Sequence, residues 1–346
     1  MVSCKRVRRP LLWHVHTMVA AKGNAFPKVK YNREALTLPD GGLVSLDWVA
    51  HPLNISYADN HPTIIILHGA GGSSKDTYVR ITAAALSTKG WRVVALNTRG
   101  QGNTPLVTPR CGNGFSTLDI RGAVAYLRST VVRSGPLIGI GFSLGANIMV
   151  KYAGEEEAAC PLSAVVSISN PYDSINLDKM VNDKIWNRYV YAPAILEAAK
   201  KEFFKHPGNA QLFQDLPGFS ATKVRTATTL RQIDDLLSRQ IEGYNTLDEY
   251  FRDASCVKYM HNVRVPLLCI SALDDPFCPP GIIPGKLCRQ NPKIILVKTA
   301  SGGHLGFLQG NGMTMWTSDV IAQYCAVMAG DDINFRAMLA SPVSKL

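Results

Sequence analysis

The run Thr63-Ile64-Ile65-Ile66-Leu67 is continuous, β-branched and without a polar face. A strand with one wet face alternates; a run like this is dry on both faces, as parallel strands covered by helices are. Similar runs recur at residues 43–49, 91–96, 137–142 and 162–168. Between them, residues 76–88 and 117–131 carry helical spacing. The first stops at Gly90 and the second opens on a Ser116/Thr117 cap. The order strand, helix, strand predicts an α/β fold with a mostly parallel central sheet and helices on both faces.

At Asn170-Pro171 the rhythm breaks. Residues 171–258 contain no good strand, several helical stretches, and the aromatics Trp186, Tyr189, Phe203, Phe204, Phe213, Phe219, Tyr244, Tyr250 and Phe251. Sheet rhythm resumes at residues 265–270 and 294–297. The expected organisation is a basic arm at 1–33, a core at 34–170 and 259–330, a helical insertion at 171–258, and a tail at 331–346.

Charge narrows the function classes. The formal net charge is +11, but residues 1–33 hold eight Lys/Arg and no Asp/Glu, leaving 29 basic against 26 acidic residues in the rest. A nucleic-acid-binding domain carries its basic residues on the fold itself, so no nucleic-acid partner is expected. With 46% hydrophobic residues, the chain is too apolar for a disordered protein. Residues 135–150 hold Gly, Ser143 and Asn147, and read as strand, turn and helix rather than a membrane span. His14 and His16 interrupt the short apolar stretch after the first basic cluster, which makes a poor secretory leader. A transit peptide, a membrane-touching arm and a solvated tail remain as readings of 1–33, and no location is assigned. The eight cysteines show no C-x-x-C spacing, so buried free thiols are expected, with no disulfide framework and no metal.

The strongest local signal is Gly141-Phe142-Ser143-Leu144-Gly145, which follows a strand and opens a helix. A serine there sits on a sharp strand-to-helix turn, and flanking glycines let neighbouring chain approach. A dinucleotide fingerprint fails because the glycine after Gly139 and Gly141 falls one place late, at Gly145. Gly71-Gly72-Ser73-Ser74-Lys75 lacks the spacing of a phosphate-binding loop. No cofactor is therefore expected. His68-Gly69-Ala70-Gly71-Gly72, directly after a strand, can offer backbone N–H groups to a developing oxyanion. The candidate donors are Ala70 or Gly71 together with Leu144. His68 itself reads as structural. A serine nucleophile needs a base and an orienting acid. Asp274-Asp275-Pro276 and Gly302-Gly303-His304 both end strands, in the chain order serine, acid, histidine. Ser143, Asp275 and His304 are the candidate catalytic residues, with Asp274 a turn or hydrogen-bonding partner.

The ordered set of these motifs resembles the YheT-like branch of the α/β-hydrolase superfamily, the abhydrolase domain-containing proteins one to three of animals. The resemblance spans residues 12–328. It includes His14-Val15-His16-Thr17, Thr37-Leu38-Pro39-Asp40-Gly41-Gly42, Asn97-Thr98-Arg99-Gly100, Ser169-Asn170-Pro171 and Gly303-His304-Leu305-Gly306-Phe307. It implies hydrolysis of carboxylic esters: short- to medium-chain esters, monoacylglycerols or related lipids. It implies Ser143, Asp275 and His304 as the triad, and an insertion that caps the site with aromatics lining an acyl pocket. The chain departs at Gln101-Gly102-Asn103-Thr104, where the family is richer in Gly and Ser, and at its start, which lacks the hydrophobic anchor of animal relatives. Two competing readings are an alcohol O-acyltransferase using the same triad and a non-catalytic lipid-binding protein. None of the histidines begins a His-x4-Asp acyltransferase motif. A small ester or lipid is the expected partner, with peripheral membrane contact through the arm.

Overall fold

Ile64, Ile65 and Ile66 are fully buried, and their strand lies inside an eight-stranded sheet. The computed structural model describes residues 17, 28–50, 57–112, 115–181, 187–309 and 314–330. The basic segment before residue 28 (Thr17 apart), Trp186 and the tail 331–346 lie outside the described residues. In chain order the strands are β1 (Tyr31–Thr37), β2 (Leu43–Val49), β3 (Thr63–Leu67), β4 (Arg92–Asn97), β5 (Leu137–Phe142), β6 (Ala164–Ile168), β7 (Leu267–Ala272) and β8 (Ile294–Thr299). Across the sheet they run β1-β2-β4-β3-β5-β6-β7-β8. Pairing is parallel from β4 through β8 and antiparallel at β1–β2 and β2–β4.

Each face of the sheet carries its own core. Ile65, Leu67, Val94 and Leu96 pack with Ile120, Ala123 and Val124 of the helix Leu118–Tyr126 and with Met149 and Val150 of the helix Leu144–Glu156. Ile64, Ile66, Val93 and Ile140 pack on the other side with Val79 of the helix Thr77–Ser87 and Ile321 of the helix Trp316–Ala329. The dry runs are therefore dry because helices cover both faces. Between β6 and β7 every described secondary-structure element is a helix, and turns join them. Among the described residues no helix is long and apolar enough to cross a membrane, and all seven described cysteines are free thiols.

Two local readings differ from the structure. β1 begins at Tyr31, inside the segment expected as an arm. Its polar residues Asn32, Arg33 and Glu34 hide the strand signal, and edge strands tolerate such residues. The antiparallel pairings of β1 and β2 stand beside an otherwise parallel sheet, in keeping with the mostly parallel order expected. Of the expected Ser116/Thr117 cap, Thr117 stands at the N-cap without a side-chain bond to the helix amides, its hydroxyl donating to Glu155 at 2.6 Å, while Ser116 Oγ accepts from Leu118 N at 3.5 Å.

One buried carboxylate ties the antiparallel edge to the loop after β3. Asp47 is 2% exposed. It accepts a bidentate pair from Arg33 at 2.7 and 2.8 Å, a bond from Asn97 at 2.9 Å, and one from the Ser74 hydroxyl. Burial alone would raise its pKa, but the bonds from Arg33, Ser74 and Asn97 outweigh it and hold the carboxyl below its ordinary value. A depressed folded pKa gives stability that is full above the unfolded value of about 4 and is lost as pH falls through the lower folded value. Asp47→Asn should therefore cost about 2 kcal/mol at neutral pH, discounted because Arg33 is partly solvated. Urea melts should show that difference shrinking as pH drops below about 4.

Candidate active site

β5 ends at Phe142, and Ser143 turns the chain with φ 52° and ψ −117°. An L-residue at positive φ is strained by about 1–3 kcal/mol and persists only where its surroundings hold it. Here the Ser143 N–H donates to Ile168 O of β6 at 2.8 Å. Its carbonyl accepts from Ala146 and Asn147, the first bonds of the helix Leu144–Glu156. A Cβ on Gly145 would overlap the carbonyl oxygens of Leu67 and His68 at the end of β3. The glycine of the motif is thus the contact point between this helix and the neighbouring strand.

The three candidates meet in a hydrogen-bonded line. Ser143 Oγ lies 2.9 Å from His304 Nε2. His304 Nδ1 lies 2.9 Å from Asp275 Oδ2 and 3.1 Å from Oδ1. A carboxylate can only accept, so Nδ1 carries the proton and Nε2 is free to take one from Ser143. Asp275 is 1% exposed, and its charge is met further by the amides of Phe277 and Cys278 at 2.8 and 2.9 Å. The sheet order explains the meeting. Asp275 follows β7 and His304 follows β8, and both strands run parallel to β5 on the same side of it.

Several supporting contacts escaped the sequence reading. The His304 N–H donates to Thr17 Oγ1 at 3.0 Å, across 287 residues of chain. The Phe277 ring lies 4.7 Å from the imidazole. Asp274 accepts from Gly303 N at 2.9 Å, as its reading as a hydrogen-bonding partner anticipated. Asp275, Cys278 and His304 present metal-ligand atoms within 4.8 Å of one another. Those atoms are committed elsewhere: the Cys278 thiol bonds Ser169 O, and the other two bond each other.

The loop after β3 brings further donors. Ala70, Gly71 and Leu144 line the same cavity as Ser143. The amides of Ala70 and Leu144 make no hydrogen bond among the described residues, which leaves them available to a ligand oxygen. Gly69 N is held by the Tyr78 hydroxyl at 3.0 Å, and Tyr78 in turn donates to Asp76 at 2.8 Å. His68 is 6% exposed, its Nδ1 bonds Gly69 O at 2.8 Å, and burial lowers its pKa so that it stays neutral.

Above Ser143 and His304 lies a cavity of about 940 Å³. Of the inserted aromatics, Tyr189, Phe203 and Phe251 line it. Phe213 and Phe219 pack against Phe203 at 5.3 and 6.3 Å and form a separate small core. The expectation that these aromatics line a pocket therefore holds for a minority, because most are spent holding the short helices together.

The sequence profile of the alpha/beta hydrolase fold matches residues 62–311. Phospholipase ABHD3 of Mus musculus is 32% identical over 290 residues, 82% of this chain and 68% of that protein. A monoacylglycerol lipase of Saccharomyces cerevisiae is 30% identical over 281 residues, 81% of this chain and 62% of that protein. The solved esterase Pf2001 of Pyrococcus furiosus superposes with a TM-score of 0.56 at 18% identity, covering 90% of this chain and 96% of its own. The chain belongs to the alpha/beta-hydrolase family, and the resemblance to its abhydrolase domain-containing members holds.

Gly145→Val tests the contact at the turn. Its side chain has no room against the carbonyls of Leu67 and His68. The substitution should destabilise the fold by about 2 kcal/mol or more and abolish labelling of Ser143 by a fluorophosphonate. Labelling is read by intact mass and stability by urea titration.

Proposed function

We propose that this alpha/beta hydrolase cleaves carboxylic esters, short- to medium-chain esters and monoacylglycerol-like lipids among them, through an acyl-enzyme on Ser143. The observation that carries the reading is the line from Ser143 Oγ through the His304 imidazole to the buried Asp275 carboxylate. His304 Nε2 takes the hydroxyl proton as Ser143 Oγ bonds the ester carbonyl carbon. The imidazolium is balanced by Asp275, and the oxyanion is met by the amides of Ala70 or Gly71 and Leu144. The carbon–oxygen bond to the alcohol breaks and His304 returns the proton to the leaving alkoxide. Water, deprotonated by the same imidazole, then attacks the acyl-enzyme and releases the acid and Ser143.

The insertion 171–258 acts as a cap over the core formed by 34–170 and 259–330. Its apolar cavity wall favours an acyl chain over a polar one, in keeping with relatives named as a phospholipase and a monoacylglycerol lipase. The seven Lys/Arg that precede β1 suit peripheral contact with an anionic membrane.

An ester panel of rising acyl length tests the reaction. Ser143→Ala should lower turnover by about 10⁴-fold or more and remove fluorophosphonate labelling. Asp275→Asn should lower kcat by about 10⁴-fold while the protein stays folded. Undiminished hydrolysis by purified Ser143→Ala overturns the reading. With ethanol or glycerol added, free acid as the sole product excludes acyl transfer.

A further inference from the structure

Ala70 and Gly71 stand exposed on the cavity, between two buried glycines, Gly69 and Gly72. Glycine restrains the backbone least, so such a loop does little by itself to aim its amides. One side chain from outside the loop reaches it. Tyr78, on the first turn of the helix Thr77–Ser87, is 6% exposed. Its hydroxyl accepts from Gly69 N at 3.0 Å and donates to Asp76 Oδ2 at 2.8 Å. The same Asp76 oxygen accepts from Ser73 N at 3.2 Å. The phenol and the carboxylate thus fasten the chain before Ala70 and again after Gly72. Gly69 O accepts from Gly72 N at 3.1 Å and lies 2.8 Å from His68 Nδ1, but those partners belong to the loop and move with it.

The same ring touches the other half of the site. Its centroid lies 5.0 Å from that of Phe142, the residue before Ser143. A Cβ built on Gly69 would stand 3.2 Å from Ser143 Cβ and 3.3 Å from the Tyr78 hydroxyl, so the loop passes close to both. Tyr78 is itself held in the core with Ile66, Val79 and Phe142. Burial, with the charge of Asp76, pushes its phenol well above the ordinary value. It therefore stays a neutral hydroxyl, with a proton for Asp76 and a lone pair for Gly69.

We propose that Tyr78 is a positioning residue: its hydroxyl fixes the loop 69–72 so that the Ala70 or Gly71 amide is aimed, before substrate arrives, at the oxyanion formed when Ser143 attacks. The inference rests on the proposed acyl-enzyme reaction at Ser143. Donors set in advance need no reorganisation as charge develops, whereas a loose loop has to be ordered in every turnover. The ester carbonyl of the ground state carries less charge than the oxyanion, so the loss of aim falls on kcat and spares KM.

Tyr78→Phe tests this, because it keeps the ring against Phe142 and leaves Gly69 N without its acceptor. The purified full chain is assayed on one ester, and competent enzyme is counted from the end point of fluorophosphonate labelling by intact mass. Per labelled serine, Tyr78→Phe should lower kcat about ten-fold or more and leave KM within about two-fold. A trifluoromethyl ketone reports the oxyanion directly: Ser143 Oγ bonds its carbonyl carbon reversibly and the hydroxyl proton passes to His304. Its affinity should fall by the same factor as kcat/KM. Asp76→Ala, which removes the acceptor of the Tyr78 hydroxyl and of Ser73 N, should act in the same direction, and carries the comparison if urea titration shows Tyr78→Phe unfolded. A merely structural role would shrink the labelled fraction and leave kcat per labelled serine and ketone affinity at wild-type values. That result, or a loss confined to KM, overturns the positioning role while the proposed reaction stands. A wild type that cleaves no ester and takes no label on Ser143 overturns the reaction and the positioning role with it.

Discussion

The site depends on Ser143 holding a backbone conformation that an L-residue avoids. Nothing in the side chain stabilises that conformation; the fold imposes it. β5 is hydrogen-bonded on one edge to β3 and on the other to β6, so its end cannot drift. The Ser143 amide is pinned to Ile168 O, and the first helical turn is pinned to the Ser143 carbonyl. The helix Leu144–Glu156 must then leave the strand sharply, across the end of β3, which requires glycine at 145. The central strand order, the glycine spacing and the strained serine are three views of one steric constraint.

The same parallel order delivers the other two groups. Strands β7 and β8 end on the side of the sheet where β5 ends, so the loops carrying Asp275 and His304 converge without long excursions. Each loop is then fixed by bonds that leave its functional atom free. Asp275 accepts from two backbone amides, which gives an almost fully buried carboxyl the hydrogen bonds that burial takes from water. The His304 backbone is held by Thr17, and the neighbouring Gly303 by Asp274, so the ring is positioned without using Nε2. Nε2 is the atom the proposed proton transfer needs.

Legibility in the sequence followed the range of the interaction. The central parallel strands were readable because a dry β-branched run is a local signal. Ser143, Asp275 and His304 were readable as candidates because each sits in a turn whose residues announce it, and because strand order fixes where those turns must lie. β1 was missed since Asn32, Arg33 and Glu34 make an edge strand look like loop. Thr17, Tyr78 and Cys278 were missed because their contacts join residues far apart or packed only in three dimensions. Of the Ser116/Thr117 pair, Ser116 accepts from the Leu118 amide, whereas the Thr117 hydroxyl is drawn to Glu155, a partner 38 residues away. The only pointer to Thr17 was its place in His14-Val15-His16-Thr17, one of the motifs on which the resemblance rests.

The inserted helices show why composition could not separate packing from pocket. Segments as short as Asn209–Leu212 and Leu230–Ile233 cannot hold themselves together by backbone bonds. Aromatic contacts among Phe203, Phe213 and Phe219 supply what they lack. Phe203 does both jobs, with one side in that cluster and another on the cavity. A wall braced in this way can stay open over about 940 Å³ without collapsing into the core.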